Sequence, residues 1–175
     1  MCLGTGIGGS VFIDGKELIP SKNPGMEFGH MIIQKDGNLC NCGKRGCFER
    51  YCSIKNLKNE LIEKLRLPLE ISGEELIKIL HTKANENEIN NVLNQYVDNL
   101  IIGLSNVIDI FEPEVICLGG SFVYFENILY KMLEKEYYER RYVFNKEKMP
   151  DLKLAKLGND AGIIGASIIA WYSDF

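Results

Sequence analysis

Three cysteines and one histidine lie close together in the first third of the chain: His30, Cys40, Cys42 and Cys47. Three thiols and an imidazole are a complete donor set for tetrahedral zinc, which leaves no open position for a hydrolytic water. Gly43 and Gly46 stand where a chain that folds around one ion must turn tightly. The alternatives are unrelated polar or core residues, or a redox pair. The spacing favours a structural zinc loop.

Two carboxylates bracket this cluster, Glu27 before it and Glu49 after it. Carboxylates beside a rigid loop suit hydrogen bonding to the hydroxyl groups of a sugar. Solvated surface charge is an equally good explanation of either residue taken alone. The zinc loop therefore predicts a binding role for Glu27 and Glu49 only if something else in the chain indicates a sugar.

Two glycine-rich turns could bring backbone amides close to a phosphate. The first contains Gly4, Thr5, Gly6 and Gly8, and the second contains Gly119 and Gly120, which follow an apolar run. Open α/β sheets bind ligands at the carboxyl ends of their strands, where the second turn falls. Each turn alone is equally well explained as a tight connection. Two of them in one chain favour a nucleotide cleft.

The chain of 175 residues has the composition of a soluble globular protein, with 46% apolar residues, 25% charged residues and a net charge of −4. This acidity disfavours a nucleic-acid-binding surface, and no apolar run reaches the length of a membrane span. We expect a single domain over residues 1–175 without a signal peptide, in the reducing cytoplasm. Cys2, Cys52 and Cys117 have apolar neighbours in the sequence, which predicts core positions.

The hydrophobic pattern predicts an α/β protein. Asp14 and Gly15 predict the turn of a β-hairpin within residues 1–19, and residues 20–52 read as a loop that the metal would fix. A buried parallel strand is predicted at 115–118 and another strand at 152–155. Helices are predicted at 54–66, 72–80, 85–111, 126–140 and 161–172.

Local signals place the ends of two of these helices. Ser72 and Glu75 have the spacing of a capping box, and Asn159 or Asp160 is expected to cap the last helix. That last helix has small residues on one line, which would let it approach another backbone closely: Gly162, Ala166 and Ala170.

The order of these motifs resembles the ROK family of sugar kinases and sugar-responsive repressors. The resemblance is carried by residues 4–9, 27–30, 40–49, 118–121 and 158–166, and it spans nearly the whole chain. It implies the C-terminal lobe of an actin/hexokinase-like, ribonuclease-H-type ATPase fold, with a zinc loop and helices inserted. In that family ATP lies between two lobes, and a sugar hydroxyl attacks the γ-phosphate.

The resemblance also implies roles for individual residues. Zinc would be held by His30, Cys40, Cys42 and Cys47. A hexose or N-acetylhexosamine would be bound by Glu27, His30 and Glu49. The phosphates of ATP, with Mg²⁺ in the full-length form, would meet Gly4, Thr5, Gly6 and Gly8, and the adenosine side would meet Gly119 and Gly120. A homodimer is expected as well.

The chain departs from the family pattern at two points. Met26 occupies a position before Glu27 that usually holds a small residue, and nothing matches the first phosphate loop or the catalytic aspartate of the N-terminal lobe. We therefore expect a fragment of a glucokinase-like enzyme that does not phosphorylate sugars by itself. The alternatives are the effector-binding lobe of a ROK repressor, which would bind nucleic acid only through an upstream module, and a stand-alone sugar-binding lobe.

Overall fold

A narrow sheet combines strands from the beginning of the chain with strands from its last third. The computed structural model describes residues 1–21, 25–82, 87–140, 149–158 and 160–172. Strand β1 (Cys2–Leu3) pairs antiparallel with β2 (Ile7–Gly8), whereas β5 (Val115–Leu118) pairs in parallel with β6 (Asp151–Leu154). Two backbone hydrogen bonds connect β1 to the end of β5, from Leu3 N to Gly119 O at 3.0 Å and from Gly119 N to Met1 O at 2.8 Å. The strand order is therefore β2-β1-β5-β6.

The predicted hairpin forms beside this sheet. Strands β3 (Phe12–Ile13) and β4 (Lys16–Glu17) pair antiparallel across the turn at Asp14 and Gly15. Both turn residues have a positive φ, 51° at Asp14 and 76° at Gly15. A type I′ turn requires positive φ at both of its central residues. The prediction of the hairpin is confirmed.

Helix α1 (Glu49–Cys52) lies at the end of the predicted loop, so residues 20–52 are not loop throughout. Three helices follow it: α2 (Ile54–Leu65), α3 (Gly73–Thr82) and α4 (Asn87–Phe111). Helix α4 is the long central helix that the apolar periodicity predicts, and its apolar stripe is buried from Ile89 to Ile108. The predicted start of this helix at Asn85 lies outside the described residues. Helix α2 ends at Arg66, which takes the left-handed conformation just before Leu67 and Pro68.

The last third of the chain alternates helix and strand as expected. A 3-10 helix over Gly120–Phe125 and a π-helical turn over Glu126–Tyr130 lead into α5 (Lys131–Arg140), so the helical region begins earlier than predicted. Helix α6 (Asp160–Tyr172) begins at one of the two predicted caps, and the other, Asn159, lies outside the described residues. The small residues of α6 predict that this helix approaches another backbone closely. A Cβ on Gly162 would meet nothing within 4 Å, so no such approach is made at Gly162. The side chain of Ala170 also lies outside the described residues.

The sheet is covered on one face, which corrects two expectations. Ile116 and Leu118 of β5 are buried, but Val115 and Cys117 are exposed, so the strand alternates instead of being buried on both sides. Cys2 is exposed as well, and the prediction of core positions for Cys2 and Cys117 is wrong, whereas Cys52 is buried. An apolar neighbourhood in sequence does not determine which face of a strand a residue occupies. None of the helices in these ranges has the length and apolarity of a bilayer span.

The capping box at the start of α3 is confirmed, and it supports a stability prediction. Ser72 N and Oγ both donate to Glu75 Oε2, at 2.9 and 2.8 Å, and Ser72 Oγ accepts from Glu75 N at 3.1 Å. We expect Ser72→Ala to lower the free energy of unfolding by about 1 kcal/mol, because it removes the side chain that accepts from the first turn. Urea denaturation measures the difference.

The same contacts predict how this loss depends on pH. Hydrogen bonds from the Ser72 backbone and side chain lower the pKa of Glu75. A carboxylate whose pKa is lowered in the folded state stabilises above its ordinary pKa, and that contribution disappears as the pH falls through the lowered value. The cost of Ser72→Ala is thus expected to shrink in acid below pH ~4. A cost that stays constant down to the acid limit would contradict the role of the carboxylate.

Candidate functional site

A tight backbone hairpin forms the tip of the cysteine loop. Leu39 and Arg45 form an antiparallel bridge, Cys40 N donates to Lys44 O at 2.8 Å, and Gly43 N donates to Cys40 O at 2.9 Å. Gly43 has a φ of 87°. Side chains rarely adopt this conformation, so glycine suits the position. The predicted turn between the cysteines is therefore present, and it places Cys40 and Cys42 at one end of the loop.

A second close approach brings Cys47 to the segment that carries His30. Gly46 has a φ of 79°, and a Cβ on it would overlap Gln34 O. This contact lets Ile33 N donate to Gly46 O at 2.9 Å, while Phe48 N donates to Met31 O at 2.8 Å. Both predicted glycine turns of the loop are thus needed for its shape.

The structure gathers the four predicted metal ligands. His30 Nδ1 lies 3.6 Å from Cys40 Sγ, Cys42 Sγ lies 3.6 Å from Cys47 Sγ, and the ligand atoms of all four lie within 4.8 Å of one another. Zinc bonds of about 2.0 to 2.3 Å in a tetrahedron place neighbouring donors about 3.5 to 3.8 Å apart. The donor set therefore fits one zinc ion. Because Nδ1 of His30 faces Cys40, its Nε2 is the ring nitrogen left for another partner.

The protein environment affects the thiols of the cluster in different directions. Burial raises the pKa of Cys47 to about 12, and the neighbouring thiols act in the same direction. A hydrogen bond from the Lys44 backbone lowers the pKa of Cys42, which is exposed. Zinc binds thiolates, so a metal here would displace the thiol protons. Its positive charge would offset the negative charge of the buried thiolates.

Glu49 reaches from α1 to the first glycine turn. Its Oε2 accepts the backbone N–H of Ile7 at 2.8 Å, and its backbone oxygen accepts from Asn56 Nδ2 at 2.8 Å. The residue before it, Phe48, is fully buried, and a Cβ on Gly103 of α4 would overlap the Phe48 ring. The contact between Gly103 and Phe48 thus fixes how closely the end of the cysteine loop packs against α4. Helix α1 then directs the Glu49 side chain toward β2.

Glu27 and His30 share one compact turn. Glu27 has φ −80° and ψ 64°, and Phe28 N donates to Met26 O at 2.9 Å. This is the geometry of an inverse γ-turn. His30 N then donates to Glu27 O at 2.9 Å, and the side chain of Glu27 is exposed at the start of the turn.

Met26 lies at the entrance to this turn, where the chain departs from the family pattern. Its φ is 58°. Such a left-handed value is uncommon for residues other than glycine. The small residue that the family usually has at this position would adopt the same backbone more easily if it were glycine.

The two glycine-rich turns lie side by side. A Cβ on Gly4 would stand 3.7 Å from Ser121 Oγ, and Gly120, with a φ of 73°, comes so close to Leu3 that a Cβ would be 2.7 Å from its carbonyl oxygen. Thr5 is exposed at the tip of the first turn. Gly8 lies past it in the ladder, paired with Cys2, and Gly119 lies at the end of β5.

Sequence reasoning misses four parts of this site. The Ile7 N–H that binds Glu49 is a backbone group and has no signature, whereas Gly103 inside a helical pattern is a signal for close packing. Tyr51 supports the loop through its hydroxyl, which accepts from Asn38 N at 2.7 Å. Within the described ranges, the buried Nε of Arg50, next to Glu49, has no hydrogen-bond partner.

Comparisons with known proteins identify similar sequences and a similar fold. The sequence model described as ROK family matches residues 1–172. The chain is 30% identical over 182 residues to a glucokinase of Thermotoga maritima, covering 97% of this chain and 56% of the relative. It is 26% identical to an N-acetyl-D-glucosamine kinase of Pectobacterium carotovorum, covering 97% and 57%.

A solved structure shares the fold. The ROK hexokinase from Thermus thermophilus superimposes with a TM-score of 0.79 at 28% identity, over 95% of this chain and 56% of that one. The chain therefore spans just over half the length of the relatives that it matches.

Proposed function

Because the chain belongs to the ROK family, we propose that it supplies the sugar-binding lobe of an ATP-dependent kinase for a hexose or N-acetylhexosamine. A structural zinc ion on His30, Cys40, Cys42 and Cys47 would fix the loop that presents the sugar ligands. The relatives act on glucose and N-acetyl-D-glucosamine, which supports a sugar of this class. Because the chain spans just over half of each relative, phosphoryl transfer, with ATP and Mg²⁺, is proposed for the full-length protein.

One observation carries this proposal: His30 belongs at once to the metal cluster and to the turn of Glu27. Its Nδ1 faces Cys40, so Nε2 can meet a sugar hydroxyl while the metal holds the ring. Glu27, three residues earlier on the same turn, can accept a second hydroxyl, and Glu49 can accept a third. When bound, zinc would supply a fixed cross-link between the loop segments and no catalysis, since all its positions are filled.

The nucleotide side of the proposal rests on the paired glycine turns. The Gly4 N–H donates to Gly6 O at 2.9 Å and the Ile7 N–H to Glu49, so phosphate oxygens would approach the backbone between them, at Thr5 and Gly6. Thr5 adds an exposed hydroxyl. Gly119 and Gly120 would border the adenosine on the neighbouring strand end. Gly8 lies farther along the ladder, so its part would be limited to the shape of β2.

Sugar binding by the zinc-loaded chain tests the proposal. We expect Glu27→Gln to weaken binding of glucose or N-acetylglucosamine about tenfold or more, because a hydrogen bond to a charged group contributes about 1.5–3 kcal/mol. Isothermal titration calorimetry measures the affinity, and zinc content should stay unchanged. Glu17→Gln, a carboxylate on the exposed strand β4, is the matched control. Equal affinities in the two variants would remove Glu27 from the site.

The alternatives, the effector-binding lobe of a ROK repressor and a stand-alone sugar-binding lobe, would use the same sugar site without phosphoryl transfer. The absence of kinase activity in this chain alone, a homodimer and a cytoplasmic location stay predictions. A coupled assay with ATP, Mg²⁺ and a panel of hexoses checks the first of these. Zinc-dependent phosphorylation by the purified chain would overturn it.

A further inference from the structure

Gly6 lies where any side chain would collide with the carboxylate of Glu49. A Cβ on Gly6 would overlap Glu49 Oε2 and stand 3.1 Å from Cδ. The same oxygen accepts the N–H of Ile7 at 2.8 Å. The carboxylate of Glu49 therefore lies across the Gly6–Ile7 peptide, with one oxygen held by the backbone.

The neighbouring glycines of this turn do not have this contact. A Cβ on Gly4 would make ordinary van der Waals contact with Ser121, at 3.7 Å, and one on Gly8 would meet nothing within 4 Å. Gly6 is also absent from the described glycines with positive φ, so an alanine there could keep the same backbone conformation. The constraint at Gly6 is the space that Glu49 occupies.

We propose that Gly6 and the Ile7 N–H hold the carboxylate of Glu49 in position, so that the first glycine turn positions a sugar ligand in addition to approaching phosphate. Gly6 is then a positioning residue for Glu49, and this inference rests on the proposed role of Glu49 as a sugar ligand. With Oε2 held by Ile7, the side chain loses less rotational freedom when Oε1 accepts a sugar hydroxyl. The turn at residues 4–8 thereby links the sugar and phosphate ends of one site.

A double-mutant cycle with Gly6→Ala and Glu49→Ala tests whether Gly6 positions Glu49, with Gly73→Ala as the matched control. Gly73 begins α3, away from the site, and a Cβ there would meet nothing within 4 Å. The full 175-residue chain, loaded with zinc, is titrated with glucose and with N-acetylglucosamine, and separately with a non-hydrolysable ATP analogue. Hydrogen exchange of the Ile7 amide, followed by NMR, reports the hydrogen bond between Ile7 and Glu49 without any ligand.

We expect Gly6→Ala to weaken sugar binding about tenfold or more and to speed exchange of the Ile7 amide by a similar factor. The thermal melt should change little, because a flexible carboxylate can move aside. Glu49→Ala should have the same two effects, and adding Gly6→Ala to it should change sugar affinity and exchange less than twofold, since the space is then empty. Gly73→Ala should leave both unchanged.

Other results separate this inference from the proposed function. Unchanged Ile7 exchange in Gly6→Ala, or fully additive effects of the two substitutions, would contradict the positioning of Glu49 by Gly6. A loss of affinity for the ATP analogue alone would overturn it too, since Gly6 would then serve phosphate only. A wild-type chain that binds no sugar would contradict the proposed function, and the exchange measurements would still decide whether Gly6 positions Glu49.

Discussion

Cys47→Ser is expected to abolish stoichiometric zinc binding and to cause the largest loss of stability of any single change in the loop. Cys47 is fully buried, lies 3.6 Å from Cys42 Sγ and directly precedes the buried Phe48. Structural zinc sites bind with about 10–16 kcal/mol, so losing one of four ligands removes a large part of the energy that holds the loop. For a chain of this size, each ~1 kcal/mol lowers the melting temperature by about 2–4 °C.

Metal analysis and thermal melting measure this result. Zinc should fall from about one ion per chain to near zero, and the melting temperature should fall by about 6 °C or more, which corresponds to ~2–3 kcal/mol. Cys117→Ser is the matched control, because Cys117 is exposed on the open face of the sheet and lies outside the cluster. Treatment of the wild type with a strong chelator should reproduce the melt of Cys47→Ser. Full zinc loading of Cys47→Ser with an unchanged melt would contradict a structural metal.

Gly103→Ala is expected to destabilise the protein, although the same change in a helix usually stabilises it by about 1 kcal/mol. The Cβ would overlap the ring of Phe48, and this ring is fully buried in the core. Overpacking of this kind costs about 1–3 kcal/mol. Displacement of Phe48 would also move Cys47 and Glu49 on either side of it, so zinc affinity should fall together with stability.

Gly162→Ala provides the comparison for Gly103→Ala. It makes the same substitution inside helix α6, where a Cβ would meet nothing within 4 Å. We expect it to be neutral or slightly stabilising in urea denaturation, whereas Gly103→Ala should lower the midpoint. Stabilisation of similar size by both substitutions would show that Phe48 does not depend on Gly103.

Features that depend on neighbouring residues were determined by the sequence alone. The set of side chains that could hold a metal follows from residue type and from glycines at Gly43 and Gly46, whose positive φ the turns require. The capping box at Ser72, the type I′ turn at Gly15 and the periodicity of α4 are local in the same sense. The capping box and the hairpin turn depend on chemistry within a few residues, and the Cys/His set and α4 depend on residue types at a regular or short spacing, so a pattern can record all of them.

Features that depend on distant pairings were decided by the tertiary structure. Glu49 meets Ile7 across 42 residues, and only this pairing distinguishes Gly6 from the other glycines of its turn. The exposure of Cys117 follows from coverage of the sheet on one face within the described chain, which an apolar run cannot reveal. Residue types thus determine which groups could bind a metal or a sugar, whereas packing decides which backbone and side-chain groups hold them in place.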